Sequence, residues 1–355
     1  MANLIAKLYI YRLLDISDNL DVARLKRHLK KMKPKPLRLT HFTPTYLNFS
    51  VPPIETSEAS WQSPLSDKTI EIKIKFYSLG SLTVKFEIDI EGQSYDEVFN
   101  KARNIANNTS AFDRKAREVA RASRSLIEKH LGVKTYNGFA EDYAILWIKD
   151  KSKGIEDDVK GAFCGFLRNE PCGLSNYEQS EASRYSFSYT PQDVTIIDWD
   201  RAITIGEKPE DDVWDVLEYA NLQLLELRYY ESELDKRLRE IYAFSTAGHL
   251  PFFKFYQTQN MLQKNLRLYV EFTNVENKIN NFLQLTGDEY LSRIYMAASA
   301  RLNMKRIQEN LRERLLDAKE LYEMLSAEAS STRAEILEII IILLIIFEII
   351  MPFVK

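Results

Sequence analysis

The stretch IEIKIKFYSLGSLTVKFEIDI, residues 70–90, decides how the first part of the chain folds. Apolar residues occupy every second position in 70–76 and again in 82–90, and the residues between them are mostly charged. Strict alternation is typical of a strand with one face on a core and the other in water. Because Leu79-Gly80-Ser81 separates the two series, the stretch predicts a β-hairpin with one buried face.

The hairpin lies in a predicted small α+β domain over residues 1–95. LIAKLYIYRLL near the start predicts a strand, the residues after SDN predict a helix, and TYLNFSV (Thr45–Val51) predicts a second strand. The segment PPIETSEASWQSPLSD is rich in proline and serine, which is typical of a loop.

Residues 96–210 predict a mixed α/β region. Residues 96–131 predict a helix that breaks near NNTSAFD, where Ser110 can cap the second piece. DYAILWIKD predicts a strand that is buried on both faces, and RYSFSY and VTIIDWDRAITI predict two more.

After Asp211 the sequence changes character, because apolar residues recur at alternating steps of four and three. This spacing is typical of helices that pack along a narrow seam, within one chain or between copies. It predicts a long-helix bundle over 211–330. Two further series lie in 268–282 and 304–325, and the first consists of Val213, Leu217, Ala220, Leu224, Leu227, Leu234, Leu238 and Ile241.

The chain ends in an apolar segment, Ile336–Val354, that contains EIIIILLIIFEII. A helix of about 20 apolar residues is long enough to cross a bilayer. Its two charges, Glu338 and Glu348, lie away from its centre, where Ile342 and Ile346 stand. Basic residues in the preceding helix indicate the cytoplasmic side. The segment predicts a single-pass C-terminal membrane anchor with the bulk of the chain in the cytoplasm.

A helix buried between subunits is the alternative for this segment, because isoleucine runs also suit oligomeric coils. Within a membrane, Glu348 would favour self-association, since intramembrane acids usually face a partner or water. The complete fold class expected is therefore α+β, a mixed α/β N-terminal region followed by a long-helix bundle and a C-terminal transmembrane helix.

The strongest charge feature is a basic patch near the N-terminus. The net charge of −3 gives no overall attraction to nucleic acid, but the run between residues 24 and 38 contains no acid. Such a run can neutralise the phosphates of RNA or of lipid headgroups, and a solvated surface is the alternative. Without interleaved aromatic residues, RNA would be held through its backbone. The patch consists of Arg24, Lys26, Arg27, Lys30, Lys31, Lys33, Lys35 and Arg38; AFDRKAREVARASRS adds Arg114, Lys115, Arg117, Arg121 and Arg124.

The chain carries little that predicts catalysis. Phosphate-binding glycine loops, the HExxH zinc motif and the GxSxG nucleophile motif are all missing from the sequence. Asp198 and Asp200 in IDWDR would share one face of a strand, where two acids can bind a cation or are simply solvated. Cys164 and Cys172 have no metal-site spacing; they predict free thiols in a reducing compartment, with a disulfide as the alternative. The sequence thus predicts no catalytic residue, no metal and no cofactor.

The later part of the chain resembles a known family over residues 140–355. The order is YAILWI, RYSFSYTPQDVTIIDWDRAI, LEYANLQLLELRYYESELD, a helix with Arg301-Leu302-Asn303, then Arg333 and EILEIIIILLIIFEII. This order resembles the "required for meiotic nuclear division" proteins, and especially their functionally unassigned bacterial branch.

The resemblance implies an α/β region, long helices and a C-terminal membrane span. Mitochondrial members are tied to the inner membrane and to organelle translation as anchors, not enzymes, and the family has no established catalytic residues. Where those members have a proline- and tryptophan-containing segment, this chain has QLTGDEYLSR (Gln284–Arg293).

Together these features predict a non-enzymatic, membrane-anchored scaffold or adaptor that self-associates through its C-terminal helices. Its expected partners are the lipid bilayer, further copies of the chain and an unidentified protein. The second hypothesis is an RNA- or ribosome-associated membrane adaptor that uses the basic patch. The third is a metal-dependent enzyme with Asp198 and Asp200 as ligands.

Overall fold

A computed structural model describes residues 4–17, 20–28, 35–36, 53–63, 69–135, 138–150, 157–170, 173–246, 260–261, 263–264, 266–274, 276–277 and 288–354. The chain divides into two compact units. Unit 1 consists of Met1–Glu226 and Ile279–Lys305, and unit 2 consists of Leu227–Lys278 and Arg306–Lys355. The predicted bundle over 211–330 therefore contributes residues to both units.

Unit 1 is built on one nine-stranded sheet with the order β2-β3-β4-β5-β1-β6-β9-β8-β7. All neighbours are antiparallel except β6 and β9. β1 pairs with both β5 and β6, so the segments 1–95 and 96–210 form one sheet. The strands are Leu4–Asp15 (β1), Lys35–Pro36 (β2), Ile54–Trp61 (β3), Ile70–Phe76 (β4), Ser81–Gly92 (β5), Ala140–Lys149 (β6), Ser186–Phe187 (β7), Val194–Ile197 (β8) and Arg201–Ile205 (β9).

Eight helices have defined bounds in the described part of the chain, and the described residues among 260–277 are also helical. The mixed α and β content, with the sheet first and long helices later, is the predicted order. The helices are Val22–His28 (α1), Tyr95–Ala106 (α2), Thr109–Leu131 (α3), Asp157–Leu167 (α4), Asn176–Ala182 (α5), Asp211–Thr246 (α6), Glu289–Arg301 (α7) and Met304–Val354 (α8).

The predicted hairpin is confirmed as β4 and β5, and its turn is tied to the end of β1. Gly80 has φ +95°, and its carbonyl accepts hydrogen bonds from the backbone N–H groups of Ile16 and Ser17. A Cβ at this position would lie 1.7 Å from the Ser17 carbonyl oxygen. Glycine is therefore required both by the backbone conformation and by the close approach.

Of the other local predictions, some are confirmed and some are wrong. The loop predicted for PPIETSEASW is wrong, because β3 occupies Ile54–Trp61 and pairs with β4. The helical break falls between α2 and α3 as expected, but Asn108, not Ser110, is the N-cap of α3. VTIIDWDRAITI forms two antiparallel strands, β8 and β9, not one. The strand predicted over Thr45–Val51 lies outside the described residues.

Both faces of the sheet are covered in unit 1. On one face a core joins strand residues to α2, α3 and α4, with Phe86 and Phe112 in edge contact at 5.1 Å. On the other face the first part of α6 and α7 pack against β1 and β6, and Trp214 lies 4.4 Å from the ring of Tyr9. Burial on both faces explains the long apolar runs of β1 and β6.

Unit 2 is built from helices whose predicted apolar series are buried. Tyr230 packs edge-on against Phe272 at 6.0 Å, and Arg314 pairs with Asp235. The apolar series therefore place helix against helix within this unit. The buried members are Leu227, Leu234, Ile241, Leu268, Phe272, Leu311, Leu315, Ala318 and Tyr322.

Candidate functional site

A buried charge network, here the Lys75 cluster (Lys75, Tyr77, Asp215 and Glu218), joins β4 to α6 in unit 1. Lys75 Nζ lies 2.6 Å from Asp215 Oδ1 and 2.7 Å from Glu218 Oε2. The hydroxyl of Tyr77 donates to Glu218 Oε1 at 2.7 Å. The side chains of Lys75 and Glu218 are only 3% and 1% exposed, so one ammonium faces two carboxylates away from water and one negative charge is left in excess.

The electrostatics of the Lys75 cluster follow from this imbalance of charge. Burial opposes the charge of Lys75, but Asp215 and Glu218 outweigh it and raise the pKa of the ammonium. Burial also raises the pKa of Asp215 to about 6, with Glu218 adding to the effect and Lys75 opposing it. The cluster fastens α6 to the sheet, because each charge depends on the others for compensation.

The polar face of the hairpin is therefore not a water-facing surface, contrary to the prediction from alternation. Lys85 is 8% exposed, and Thr83 is fully buried. Lys85 lies 3.0 Å from Glu87, which also accepts a hydrogen bond from Lys73 at 2.7 Å. Burial opposes the negative charge of Glu87, but Lys85 and Lys73 outweigh it and lower the pKa of Glu87. Repeated lysine at alternate strand positions was the only sequence signal for this network.

A polar cavity of about 400 Å³, here the Arg12 pocket, lies on the opposite face of the sheet in unit 1. It lies among β1, β6, the residues before β9, the junction of α2 and α3, and the turn after α4. Apolar residues and charges of both signs share its wall. The lining residues are Ile10, Arg12, Ala106, Asn107, Thr109, Asp142, Tyr143, Ala144, Asn169, Asp200 and Arg201.

Two nearly buried arginines are held in fixed positions in the pocket. Arg12 is 5% exposed; its Nε donates to Asp113 Oδ1 at 2.6 Å, and its Nη1 donates to the Tyr11 carbonyl at 3.1 Å. Arg201 donates to the Phe166 carbonyl at 2.9 Å and to Asn107 Oδ1 at 2.8 Å. Such contacts pre-orient both guanidinium groups.

Asp200 carries the opposite charge in this pocket. Burial raises its pKa to about 6, Arg201 opposes the shift, and Asp198 and Asp142 add to it. Its Oδ2 lies 3.5 Å from Arg201 Nε. Its Oδ1 is buried without a hydrogen-bond partner among the described residues, so this oxygen can accept a hydrogen bond from a ligand.

The two acids that were predicted to share one strand face lie in a turn and have different partners. Asp198 and Asp200 lie in the turn between β8 and β9. Asp198 is 0% exposed and accepts from Arg301 Nε at 2.6 Å, while Arg168 Nε lies 3.3 Å from its other oxygen. Its charge is thus already met by two guanidinium groups.

A shared metal site on these acids gains no support from the described residues, among which no group of three or more potential ligands lies together. Cys164 is buried, and its thiol donates to the Gln179 carbonyl at 3.5 Å. Cys172 lies outside the described residues.

The predicted basic patch is described only in part. Arg24, Lys26 and Arg27 are exposed on α1, and the Nη1 of Arg24 donates to the Leu131 carbonyl at the end of α3 at 3.4 Å. Lys30, Lys31, Lys33 and Arg38 lie outside the described residues, as does the side chain of Lys35.

The solvent side of α3 extends this positive surface. Arg114, Arg117 and Arg121 are exposed and recur at helical spacing. Because α1 lies beside the end of α3, the arginines of both helices belong to one side of unit 1. We call Arg24, Lys26, Arg27, Arg114, Arg117 and Arg121 the basic face.

The predicted anchor falls on the last part of α8 in unit 2. Among the side chains described there, the ten apolar ones from Leu337 to Phe347 are each 45–62% exposed, and Ile342 and Ile346 are among them. Glu338 is exposed, and the side chain of Glu348 lies outside the described residues. Within the part of the chain that the structure describes, no helix meets the length and apolarity that a bilayer crossing requires.

These features define a domain with one mixed sheet covered by helices on both faces, followed by a helical unit. The chain belongs to the family described as "Uncharacterized protein MJ0711, N-terminal domain", whose family model matches residues 6–212. The matched region includes the strands of the sheet and every lining residue of the Arg12 pocket.

No curated protein and no solved structure shows a significant match to the chain. The family assignment rests on the N-terminal part, whereas the resemblance to the "required for meiotic nuclear division" proteins rests on residues 140–355. Membership of an uncharacterised family is therefore established, and the meiotic-division family and its bacterial branch remain a prediction.

Proposed function

We propose that the protein is a non-enzymatic scaffold or adaptor that attaches to a membrane through the end of α8 and presents unit 1 to a partner. The observation that carries the proposal is the run of exposed apolar side chains from Leu337 to Phe347. Contiguous apolar surface of this kind is typical of membrane or protein interaction sites.

The free energy of transfer supports insertion. Leucine, isoleucine and phenylalanine each contribute about −0.3 to −0.6 kcal/mol at the centre of a membrane helix, so the ten exposed residues contribute roughly −3 to −6 kcal/mol. Glu338 lies at the start of the run, where an acid can reach the interface. The predicted span continues through residues 348–354, beyond the described side chains, and these would add further apolar length.

Self-association forms the second part of the proposal. Burying a glutamate within a membrane is costly unless its carboxyl group faces a partner. Glu348 would have such a partner if two or more copies packed their anchors together. The exposed run itself can also be shared between copies, because each apolar helix covers part of its neighbour.

Membrane attachment can be tested on the full-length chain. We expect wild-type protein to remain in the membrane pellet after an alkaline carbonate wash. The variant Ile342→Arg/Ile346→Arg should move to the soluble fraction, because each arginine costs about 2.5–3.5 kcal/mol at mid-bilayer, enough together to offset the apolar gain.

A matched control is Leu316→Arg/Met324→Arg, which changes two exposed apolar residues earlier on α8. This variant should stay in the pellet. Recovery of wild-type protein in the soluble fraction would overturn the anchor. Its mass by light scattering would then show whether the same residues join copies of the chain.

A second candidate, an RNA- or ribosome-associated adaptor, is favoured by the basic face. Its six side chains are exposed and come from helices on the same side of unit 1. Positive charge without stacking aromatics favours contact with the phosphate backbone and little discrimination between sequences.

RNA binding would show itself in its dependence on salt. For single strands, the logarithm of affinity falls with that of salt concentration by about 0.7 per phosphate neutralised. We expect Arg114→Glu/Arg117→Glu/Arg121→Glu to weaken binding to a single-stranded RNA and to reduce this slope. Lys101→Glu on α2, where Lys101 is 50% exposed, is the control for a charge reversal outside the basic face, and it is compared with the single variant Arg117→Glu. If both variants bound the RNA with equal affinity, the basic face would not be the RNA-binding surface.

A further inference from the structure

We propose that the Arg12 pocket binds a small zwitterion of the amino-acid type, with the ligand carboxylate at Arg12 and the ligand ammonium at Asp200. This is a binding activity separate from membrane attachment. It depends only on residues of unit 1, and it can hold whether or not the scaffold proposal does.

The charges of the pocket select for a ligand with both signs. Arg12 lies 3.7 Å from Asp142 and Arg201 lies 3.5 Å from Asp200, so the positive and negative charges balance and favour neither a simple cation nor a simple anion. A zwitterion satisfies both pairs, because its two charged ends can face opposite walls. Charge-assisted hydrogen bonds of this kind are also stronger than those between neutral groups.

Each end of the ligand has a group available to receive it. In Arg12, Nε and Nη1 are engaged by Asp113 and the Tyr11 carbonyl, which leaves Nη2 without an acceptor among the described residues. Asp200 Oδ1 is buried and likewise has no hydrogen-bond partner there. A carboxylate accepts from the first group, and an ammonium donates to the second.

The sheet carries the two groups on different strands. Arg12 lies on β1 opposite Asp142 of β6, and Arg201 lies opposite Ala144 of β6. Two strand spacings of about 4.8 Å therefore separate the backbones that carry Arg12 and Asp200. Both side chains line the cavity, so a ligand there can face a positive and a negative group at once.

The rest of the pocket provides room and an apolar wall. Its volume of about 400 Å³ lies within the usual range of about 300–1,000 Å³ for small-molecule sites. Ala106 and Ala144 keep the cavity open, because larger side chains there would fill it. Together with Ile10 they can contact the aliphatic part of a ligand side chain.

The proposal can be tested with the full-length protein and the standard amino acids. Thermal unfolding would be followed with each amino acid at millimolar concentration, with acetate, methylammonium and inorganic phosphate as single-charge probes. We expect at least one amino acid to raise the unfolding midpoint by a few degrees, since a ligand that binds only the folded state stabilises it. The single-charge probes should leave the midpoint unchanged.

Two pocket variants and one control assign the effect to the site. Asp200→Asn should weaken binding of that amino acid at least tenfold in a calorimetric titration, and Ala144→Met should abolish it by filling the cavity. Asp89→Asn, an exposed acid paired with Lys7, should bind like wild type. The proposal fails if no amino acid binds, if phosphate or acetate binds equally well, or if binding survives in both pocket variants. If one pocket variant does not fold, the titration of the other variant tests the proposal.

Discussion

Replacement of Lys75 by methionine is expected to lower the free energy of unfolding by about 3–5 kcal/mol, the usual result of removing one partner from a buried ion network. The ammonium lies 2.6 Å from Asp215 and 2.7 Å from Glu218. Methionine fills similar space but leaves two buried carboxylates without a cation. Equilibrium denaturation in urea, followed by tryptophan fluorescence, would measure the loss.

The pH dependence of this loss distinguishes charge from packing. Asp215 already has a pKa raised to about 6, and removal of Lys75 raises it further. A carboxyl with a raised folded-state pKa binds more protons in the folded protein than in the unfolded one, so the variant regains stability as the pH falls through that pKa. The destabilisation relative to wild type should therefore shrink as the pH falls toward about 6 and stay level below that pH, where Asp215 of the wild type is protonated too.

Two further variants complete the test. Lys75→Met/Asp215→Asn/Glu218→Gln should recover part of the lost stability, because no buried charge is then left unpaired. Lys7→Met affects an ion pair whose members are 39% and 52% exposed, and it should change stability by less than about 1 kcal/mol. A Lys75→Met protein as stable as wild type would show that the cluster is not needed for the packing of α6.

Replacement of Asp198 by asparagine should lower the free energy of unfolding by about 2–4 kcal/mol, since it leaves two guanidinium groups without their charge partner. Arg301 comes from α7 and Arg168 from the turn after α4, and both reach the same buried carboxylate. Asparagine can still accept the hydrogen bond that Trp199 N donates to Oδ1 at 2.7 Å. The variant therefore isolates the loss of charge.

The matched control for Asp198 is Asp142→Asn, whose carboxylate is 61% exposed and 3.7 Å from Arg12. Its effect should stay below about 1 kcal/mol. Hydrogen exchange would add a local measure, because α7 should lose protection in the Asp198 variant if the ion pairs fasten it. Equal protection of α7 in both proteins would contradict this role.

The parts of the fold that could be predicted are those with a strong local period. Alternation specified β4 and β5, and a continuous apolar run specified β6, because burial on one or both faces leaves a direct trace in the sequence. The apolar series along α6 and α8 likewise marked side chains that are buried. Such patterns predict which apolar side chains are buried, but they do not show which other part of the chain packs against them.

The rest depends on contacts between distant parts of the chain. Lys75 and Glu218 are 143 residues apart, and Arg301 and Asp198 are 103 apart. Pairs this far apart cannot be predicted from local sequence patterns. The buried lysines were therefore predicted to face water, and Asp198 was considered as a metal ligand. β3 was missed for a similar reason. Its composition is typical of a loop, and it forms a strand because it pairs with β4.

Within the part of the chain that the structure describes, the two outermost strands of the sheet, β2 and β7, each comprise two residues. Pro36 in β2 has no backbone N–H to donate. Short edges of this kind offer few free backbone groups, so they are poor templates for another strand and protect a sheet against edge-to-edge aggregation. The described edges of the unit 1 sheet should therefore pair poorly with a strand from another copy of the chain.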